Sequence, residues 1–167
     1  MIGDRWGVTD DDVRLPFDCD RVLASPTLSA WRGVTVLAPP SQVWPWIVQI
    51  RLAPYSYDWI DNLGRRSPRE LRHLPDPIVG DHFTTAGGRA AGRIVAVDPG
   101  VQLTGTIMGA AMSYRLIPVE AGTRLLMKIV AAPRWGTAVA LSLGDLVMAR
   151  RQLLNLKQLA ERGAQTT

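Results

Sequence analysis

The side chains best suited to chemistry lie in one short stretch of the sequence. Two phenols, two carboxyls and one amide occur close together there: Tyr55, Tyr57, Asp58, Asp61 and Asn62. On a helix that begins near Pro54, Tyr55, Asp58 and Asn62 have the spacing i, i+3 and i+7, which predicts one shared face. Beside an apolar cavity such groups could orient a polar ligand or move a proton, since burial raises the pKa of a carboxyl. We therefore predict Asp58, Tyr57 and Tyr55 as catalytic residues.

A structural role accounts for the same residues and stays open as the alternative. The aspartates could form ion pairs with the flanking arginines, Arg51, Arg65 and Arg66. The tyrosines could pack in the core with hydrogen-bonded hydroxyl groups, as buried phenols usually do. Tyr114 is a secondary candidate, because it is the one residue with a polar group among the apolar positions of its strand.

Other catalytic signatures are missing from the sequence. It contains no Gly-x-Ser-x-Gly motif, phosphate-binding glycine loop or dinucleotide fingerprint. The two histidines, His73 and His82, are isolated, and the one cysteine, Cys19, has no partner for a disulfide or a metal cluster. We therefore predict no metal site, no covalent nucleophile and no cofactor.

Composition and charge narrow the class of protein. The chain has 167 residues, 47% of them hydrophobic, which suffices for one domain with a sizeable core. The net charge of +4 is small and no run of basic residues accompanies it, so we predict no nucleic-acid binding. No apolar stretch reaches the roughly 18–20 residues that span a bilayer, and the first residues lack the order of a secretion signal. We therefore expect no transmembrane segment and a cytoplasmic location.

The sequence around the candidate residues predicts two short helices. Positions 43, 46, 47 and 50 are apolar with the spacing of one helix face, and Pro40 and Ser41 suit the start of that helix. Pro54 and Gly64 suit the start and the end of a second helix. Before them, residues 1–33 predict an arm that lies over the domain surface, and residues 33–38 predict a short first strand.

From residue 80 onward, turn signals separate five predicted strands, at 81–85, 93–97, 101–107, 112–117 and 123–130. Alternation in the last three predicts one apolar inner face, formed by Leu103, Gly105, Ile107, Met112, Tyr114, Leu116, Leu125, Met127 and Ile129. Arg115, Arg124 and Lys128 then point outwards. Residues 138–162 predict a long helix, whose apolar stripe comprises Leu146, Ala149, Leu153, Leu156 and Ala160, with Asn155 on the opposite side.

Together these elements predict an α+β helix-grip fold, in one domain of residues 34–163 that follows the arm of residues 1–33. A curved antiparallel sheet of six or seven strands has one apolar face to bury, and the long C-terminal helix supplies the matching stripe. The two short helices after the first strand close one end of the groove. Such an arrangement predicts an elongated internal cavity.

Two stretches resemble the START-like (SRPBCC) superfamily, which contains polyketide cyclases/dehydrases, lipid-transfer domains and pollen-allergen-type carriers. They are Ala38-Pro-Pro-Ser-Gln-Val-Trp-Pro-Trp-Ile-Val-Gln49 and Tyr55-Ser-Tyr-Asp-Trp-Ile-Asp-Asn-Leu-Gly64. Gly80-Asp81, the strand at 123–125 and residues 150–154 also fit, so the resemblance covers nearly the whole chain. The loop before the second stretch, residues 51–54, is shorter than similar proteins usually have.

The predicted function is binding of a hydrophobic or aromatic small molecule. Small residues such as Gly105 and Ala149 beside flexible methionines on the inner face would leave room for a ligand, and a simply filled core is the alternative. The predicted ligand contacts are Trp46, Trp59, Asn62, Leu103, Ile107, Met112, Tyr114, Met127, Leu146 and Ala149. The resemblance implies an enzyme like a polyketide cyclase/dehydrase of secondary metabolism, with a non-catalytic carrier of lipids or small molecules as the alternative. This interpretation also admits a homodimer.

Overall fold

The computed structural model describes residues 4–23, 25–132 and 138–164, with the backbone alone described at 60, 61, 138–147 and 164. Its strands are β1 (Arg5–Trp6), β2 (Leu28–Val36), β3 (Thr84–Ala86), β4 (Arg89–Ala91), β5 (Arg93–Asp98), β6 (Gln102–Ile107), β7 (Ala110–Val119) and β8 (Gly122–Ala131). Its helices are α1 (Asp10–Arg14), α2 (Cys19–Val22), α3 (Pro40–Gln49), α4 (Asp58–Asp61) and α5 (Ala138–Ala164).

The sheet has the strand order β1-β2-β8-β7-β6-β5, and β3 pairs with β4 in a separate hairpin. Only the two-residue β1 pairs in parallel, so the six-stranded sheet is mixed at one edge and antiparallel elsewhere. Short turns join successive strands from β5 to β8, which is why they pair as a meander. This architecture confirms the predicted α+β helix-grip fold.

The predicted inner face is confirmed by the register. Tyr114 lies opposite Leu103 on one side and Met127 on the other, and Met112 lies likewise between Gly105 and Ile129. Apolar residues of α3 and the α5 residues Ala149, Leu153, Leu156 and Ala160 complete the same buried cluster. The core therefore lies between one face of the sheet and the helices, as the alternation predicted.

The first strand is longer than predicted. Residues 33–38 were expected, whereas β2 runs from Leu28 to Val36 and pairs with β8 over its whole length, from Leu28 opposite Ala131 to Val36 opposite Thr123. Pairing with the long strand β8 extends β2, because each added residue forms further hydrogen bonds between the two strands. The sequence pattern of residues 28–32 alone does not reveal these bonds. The strand therefore crosses residue 33, where the predicted arm ends.

The second predicted helix is much shorter than expected. It was to begin near Pro54, but α4 covers only Asp58–Asp61 and Tyr57 stands at its N-cap. Tyr55 has a φ of +56°, in the left-handed region, so a right-handed helix cannot pass through it. The prediction that Tyr55, Asp58 and Asn62 share one helix face is therefore wrong. Gly64, with a φ of +78°, does follow the helix end as predicted.

The N-terminal arm covers the outer face of the sheet. Phe17 and Cys19 are buried there in a second apolar cluster with Ala111, Leu126 and Val130. Acidic side chains of the arm meet polar and basic ones of the sheet, in the pairs Asp12–Arg124 at 2.7 Å, Asp18–Gln102 at 2.6 Å and Asp20–Lys128 at 2.6 Å. The basic residues thus lie on the outer face as predicted, but Lys128 is buried beneath the arm.

Candidate functional site

Tyr55 is the best-placed of the predicted catalytic residues. Its side chain is only 2% exposed, and its ring meets the Trp46 ring edge-on, with 6.3 Å between the centroids. Its hydroxyl oxygen accepts a hydrogen bond of 2.7 Å from Gln49 Nε2. The main-chain oxygen of Tyr55 accepts a 2.9 Å bond from Asn155 on α5, which holds the left-handed turn against that helix.

The Tyr55 phenol keeps its proton at neutral pH. Burial raises the pKa of Tyr55 to about 12, because the charged form would lose its hydration, while the hydrogen bond from Gln49 opposes that rise. A phenol of this kind can donate a hydrogen bond or a proton. It cannot act as a general base at neutral pH, because a base must already have lost its proton.

Tyr114 is the second buried phenol on the inner face. Its hydroxyl donates a 2.6 Å hydrogen bond to Gln152 Oε1 on α5, and its ring lies 6.2 Å from that of Phe83. Gln152 Nε2 in turn donates to the carbonyl of Pro54, at 2.5 Å. A chain of hydrogen bonds therefore connects the sheet, α5 and the turn that carries Tyr55.

Three polar residues of the site were missed by the sequence analysis, namely Gln49, Gln152 and Asn155. Gln49 follows Trp46 by three residues and Gln152 follows Ala149 by three, so helical spacing alone would have placed both on buried faces. Asn155 was assigned to the exposed side of its helix. It is half-buried instead and donates to the carbonyls of Tyr55 and Ser56.

Asp58 and Asn62 hold the loop that follows α4. The Asp58 carboxylate accepts hydrogen bonds from the amide and the hydroxyl of Ser67, at 3.0 and 2.5 Å, and among the described residues it has no arginine partner. Asn62 is buried, and its Nδ2 donates to the carbonyl of Arg65 at 2.7 Å. Arg51, offered above as a partner for the aspartates, forms its ion pair with Asp81 at 3.2 Å. Both predicted site residues therefore have a clear local role, and a catalytic role for Asp58 stays a prediction.

We expect Asp58→Ala to lower the free energy of unfolding by about 1–2 kcal/mol, because two donors of Ser67 lose their acceptor. Asp58→Asn should cost less, since its amide oxygen replaces one acceptor. Urea unfolding measures both, with Asp98→Ala at the exposed last residue of β5 as the control. An Asp58→Asn variant of unchanged stability that no longer binds ligand would move Asp58 from loop support to the binding site.

The two remaining aromatic candidates lie nearer the surface. Tyr57 is half-buried, with the guanidinium carbon of Arg151 5.8 Å from the centre of its ring. Trp59 is 74% exposed and contributes nothing to the buried inner face. They do not join Tyr55 and Tyr114 in the interior.

The apolar candidates line the core between the inner face of the sheet and the helices. Trp46, Leu103, Met127 and Ala149 are buried, and Ile107 and Met112 are half-buried at the edge of the same cluster. Leu146 lies on α5, but its side chain is outside the described residues. One expectation of free space is wrong, since Phe83 fills the room beside Gly105. A Cβ at Gly105 would lie only 2.1 Å from Phe83 Cδ2.

A depression of about 420 Å³ lies at the surface, where residues 37–40 meet residues 118–122. It is lined by none of the predicted site residues and contains one carboxylate, Glu120. Over the described part of the chain, no helix is long and apolar enough to cross a membrane, and no three metal-ligating side chains cluster together.

Comparison with solved structures identifies the fold. A protein from Nitrosomonas europaea, NE0264, matches with a TM-score of 0.58 and 13% identity, over 82% of this chain and 96% of its own. MLL2253 from Mesorhizobium loti gives 0.55 and 18%, over 80% and 97%. The KanY protein (ms6282) gives 0.53 and 15%, over 80% and 97%. No protein-family model matches the sequence, and no curated protein matches it.

At these identities the likeness shows the fold alone. That fold is the helix grip, and it is consistent with the START/SRPBCC-type fold that the sequence motifs predicted.

Proposed function

We propose that this protein binds a hydrophobic or aromatic small molecule between the inner face of the sheet and α5, with the Tyr55 phenol as the polar contact. The observation that carries the proposal is a protonated phenol, 2% exposed, at the edge of a large apolar cluster. Binding sites for apolar ligands combine such a lining with a few polar groups that orient the ligand.

Two features of the lining support this location. Ile107 and Met112 stay half-buried although they face the core side of their strands, so the apolar surface at this end is not fully covered. Gln49 binds the Tyr55 hydroxyl and Gln152 binds the Tyr114 hydroxyl, so both phenols are oriented by uncharged side chains. A neutral, oriented lining of this type favours a largely apolar ligand over a highly charged one.

The location can be tested by filling the inner face. Met112→Trp should weaken saturable binding of 1-anilinonaphthalene-8-sulfonate at least about tenfold, because the larger side chain takes the volume that the dye needs. Ile117→Trp is the matched control, as Ile117 is a half-buried residue on the opposite face of β7. Fluorescence titration measures both affinities, and thermal melting checks that each variant is folded. Equal weakening by the two variants, or no saturable binding by the wild-type protein, would refute the proposal.

Catalysis like that of a polyketide cyclase/dehydrase is the second candidate, and the protonated Tyr55 favours it. A phenol that keeps its proton can hydrogen-bond to an oxygen on which negative charge develops during an aldol cyclisation. Holding a flexible substrate in one reactive conformation could supply much of the rate, with no nucleophile on the protein. A carrier needs the same binding site and no reaction.

Mass spectrometry of a bound poly-ketone substrate separates the two functions. Cyclisation followed by dehydration lowers the mass of the ligand by one water, whereas a carrier returns it unchanged. A cytoplasmic location and assembly into a homodimer stay predictions from the sequence.

A further inference from the structure

We infer that Gln49 is a positioning residue that turns the Tyr55 hydroxyl into a hydrogen-bond donor for the ligand, and that the ligand therefore carries a carbonyl oxygen, as an aromatic ketone does. This inference rests on the proposed function, which it deepens by naming the chemistry of the ligand. It follows from the direction of five hydrogen bonds around two buried glutamine side chains.

The orientation of the Gln49 amide is determined by two main-chain groups. Its Oε1 lies 2.7 Å from the main-chain nitrogen of Arg72, which can only donate a hydrogen bond. Its Nε2 lies 2.9 Å from the main-chain oxygen of Glu70, which can only accept one. A flipped amide would lose both bonds inside a side chain that is 1% exposed. The NH₂ group of Gln49 therefore faces Tyr55.

The direction of the hydrogen bond between Gln49 and Tyr55 follows at once. Since Nε2 has no lone pair to offer, it donates and the Tyr55 hydroxyl oxygen accepts, at 2.7 Å. Gln49 therefore does not accept the hydrogen of the Tyr55 hydroxyl. Among the described residues, Gln49 is the only hydrogen-bond partner of this hydroxyl. A buried donor without an acceptor is unfavourable, so a ligand that brings an acceptor gains from meeting it.

Tyr114 shows the opposite polarity. The carbonyl of Pro54 can only accept, so Nε2 of Gln152 must face it and Oε1 must face Tyr114. The Tyr114 hydroxyl therefore donates its hydrogen to Gln152. The two buried phenols are thus not equivalent, and Tyr55 is the one with a hydrogen to offer. An oxygen that carries lone pairs and no hydrogen, such as that of a ketone, suits this donor best.

The test compares two probes of nearly the same shape, 2-acetylnaphthalene and 2-isopropenylnaphthalene, of which only the first has a carbonyl. In Gln49→Glu, one carboxylate oxygen accepts from the Arg72 amide and the other accepts from Tyr55, so the phenol turns its hydrogen away from the ligand, while the Glu70 carbonyl loses its donor. We expect the affinity of the ketone, relative to the alkene, to fall about tenfold. Tyr55→Phe removes the hydroxyl outright and should lower the same ratio similarly. Gln158→Glu makes the same change of charge at an exposed position of α5 and should leave the ratio unchanged.

Infrared spectroscopy measures the carbonyl stretching frequency of the bound ketone, which does not depend on the stability of the protein. Hydrogen bonding lowers the stretching frequency of the bound carbonyl in the wild-type protein, and this shift should disappear in Gln49→Glu and in Tyr55→Phe. Thermal melting shows whether each variant is folded, and the alkene shows whether its binding site is intact.

The outcomes separate the inference from the proposed function. If neither probe binds the wild-type protein, the proposed function fails. If both probes bind, but their affinity ratio and the carbonyl frequency stay the same in Gln49→Glu and Tyr55→Phe, the proposed function stands and the inference is overturned. Loss of the ketone preference in Tyr114→Phe but not in Tyr55→Phe would assign the donor to Tyr114 and would also overturn the inference.

Discussion

Gly105→Val should lower the free energy of unfolding by about 3 kcal/mol or more, because the added side chain would enter the Phe83 ring. A Cβ at this position would lie 2.1 Å from Cδ2, 2.3 Å from Cγ and 2.6 Å from Cε2 of that ring. Phe83 is 2% exposed, and the next residue, Thr84, is held by a 2.8 Å hydrogen bond to the carbonyl of Ile50. The ring therefore has little freedom to move aside.

Urea unfolding of three further variants, Gly163→Val, Phe83→Ala and the Phe83→Ala/Gly105→Val double variant, tests this explanation. Gly163→Val is the control, since a Cβ added there meets no atom within 4 Å. Phe83→Ala combined with Gly105→Val should be less destabilised than the sum of the single variants, because the ring that causes the clash is gone. Additive losses would show that the cost at Gly105 comes from the strand backbone and not from Phe83.

Arg124→Met should cost about 3 kcal/mol of stability, because it leaves the carboxylate of Asp12 buried without its partner. The Asp12 side chain is 11% exposed, and the guanidinium of Arg124 lies 2.7 Å from it. Arg14→Met is a closely matched control. Arg14 lies 2.7 Å from Asp11, but both side chains are largely exposed, and such pairs contribute little. Equal effects of the two variants in thermal and urea unfolding would show that the arm is not anchored by the buried pair.

The same pair predicts a pH dependence. Burial raises the pKa of Asp12, but hydrogen bonds from Arg124 and from the Thr9 amide, together with the charge of Arg124, outweigh it and lower the pKa overall. A carboxyl with a lowered folded pKa adds stability above its unfolded pKa, near 4, and this contribution is lost as the pH falls through the folded value. The stability gap between the wild-type protein and Arg124→Met should therefore narrow in acid. A gap that stays constant down to pH 2 would contradict the assignment.

Much of the fold could be predicted because it follows from local periodicity. Alternation along a strand determines which side chains share a face, and it placed Leu103, Tyr114 and Met127 together before their register was known. The same argument identified the apolar stripe of α5, since helical spacing brings residues 149, 153, 156 and 160 into line. These features depend only on neighbours along the chain.

The candidate site was only partly predictable, because its geometry depends on contacts between distant segments. The prediction for Tyr55, Asp58 and Asn62 assumed a continuous helix. The left-handed backbone conformation of Tyr55 excludes such a helix. This conformation is supported by Asn155, which lies one hundred residues away in the chain and donates to the carbonyl of Tyr55. Local propensity contains no information about such a partner.

The sequence by itself determined the fold class, the inner face of the sheet and the position of a phenol-rich stretch beside it. Only the tertiary structure decided that Phe83 occupies the space beside Gly105, that Asp58 supports the loop at Ser67, and that Tyr55 accepts its hydrogen bond from Gln49. The physical reason is that hydrophobic periodicity acts between near neighbours and repeats along the chain. The direction of a buried hydrogen bond, in contrast, depends on single atoms that are brought together only when the whole domain has folded.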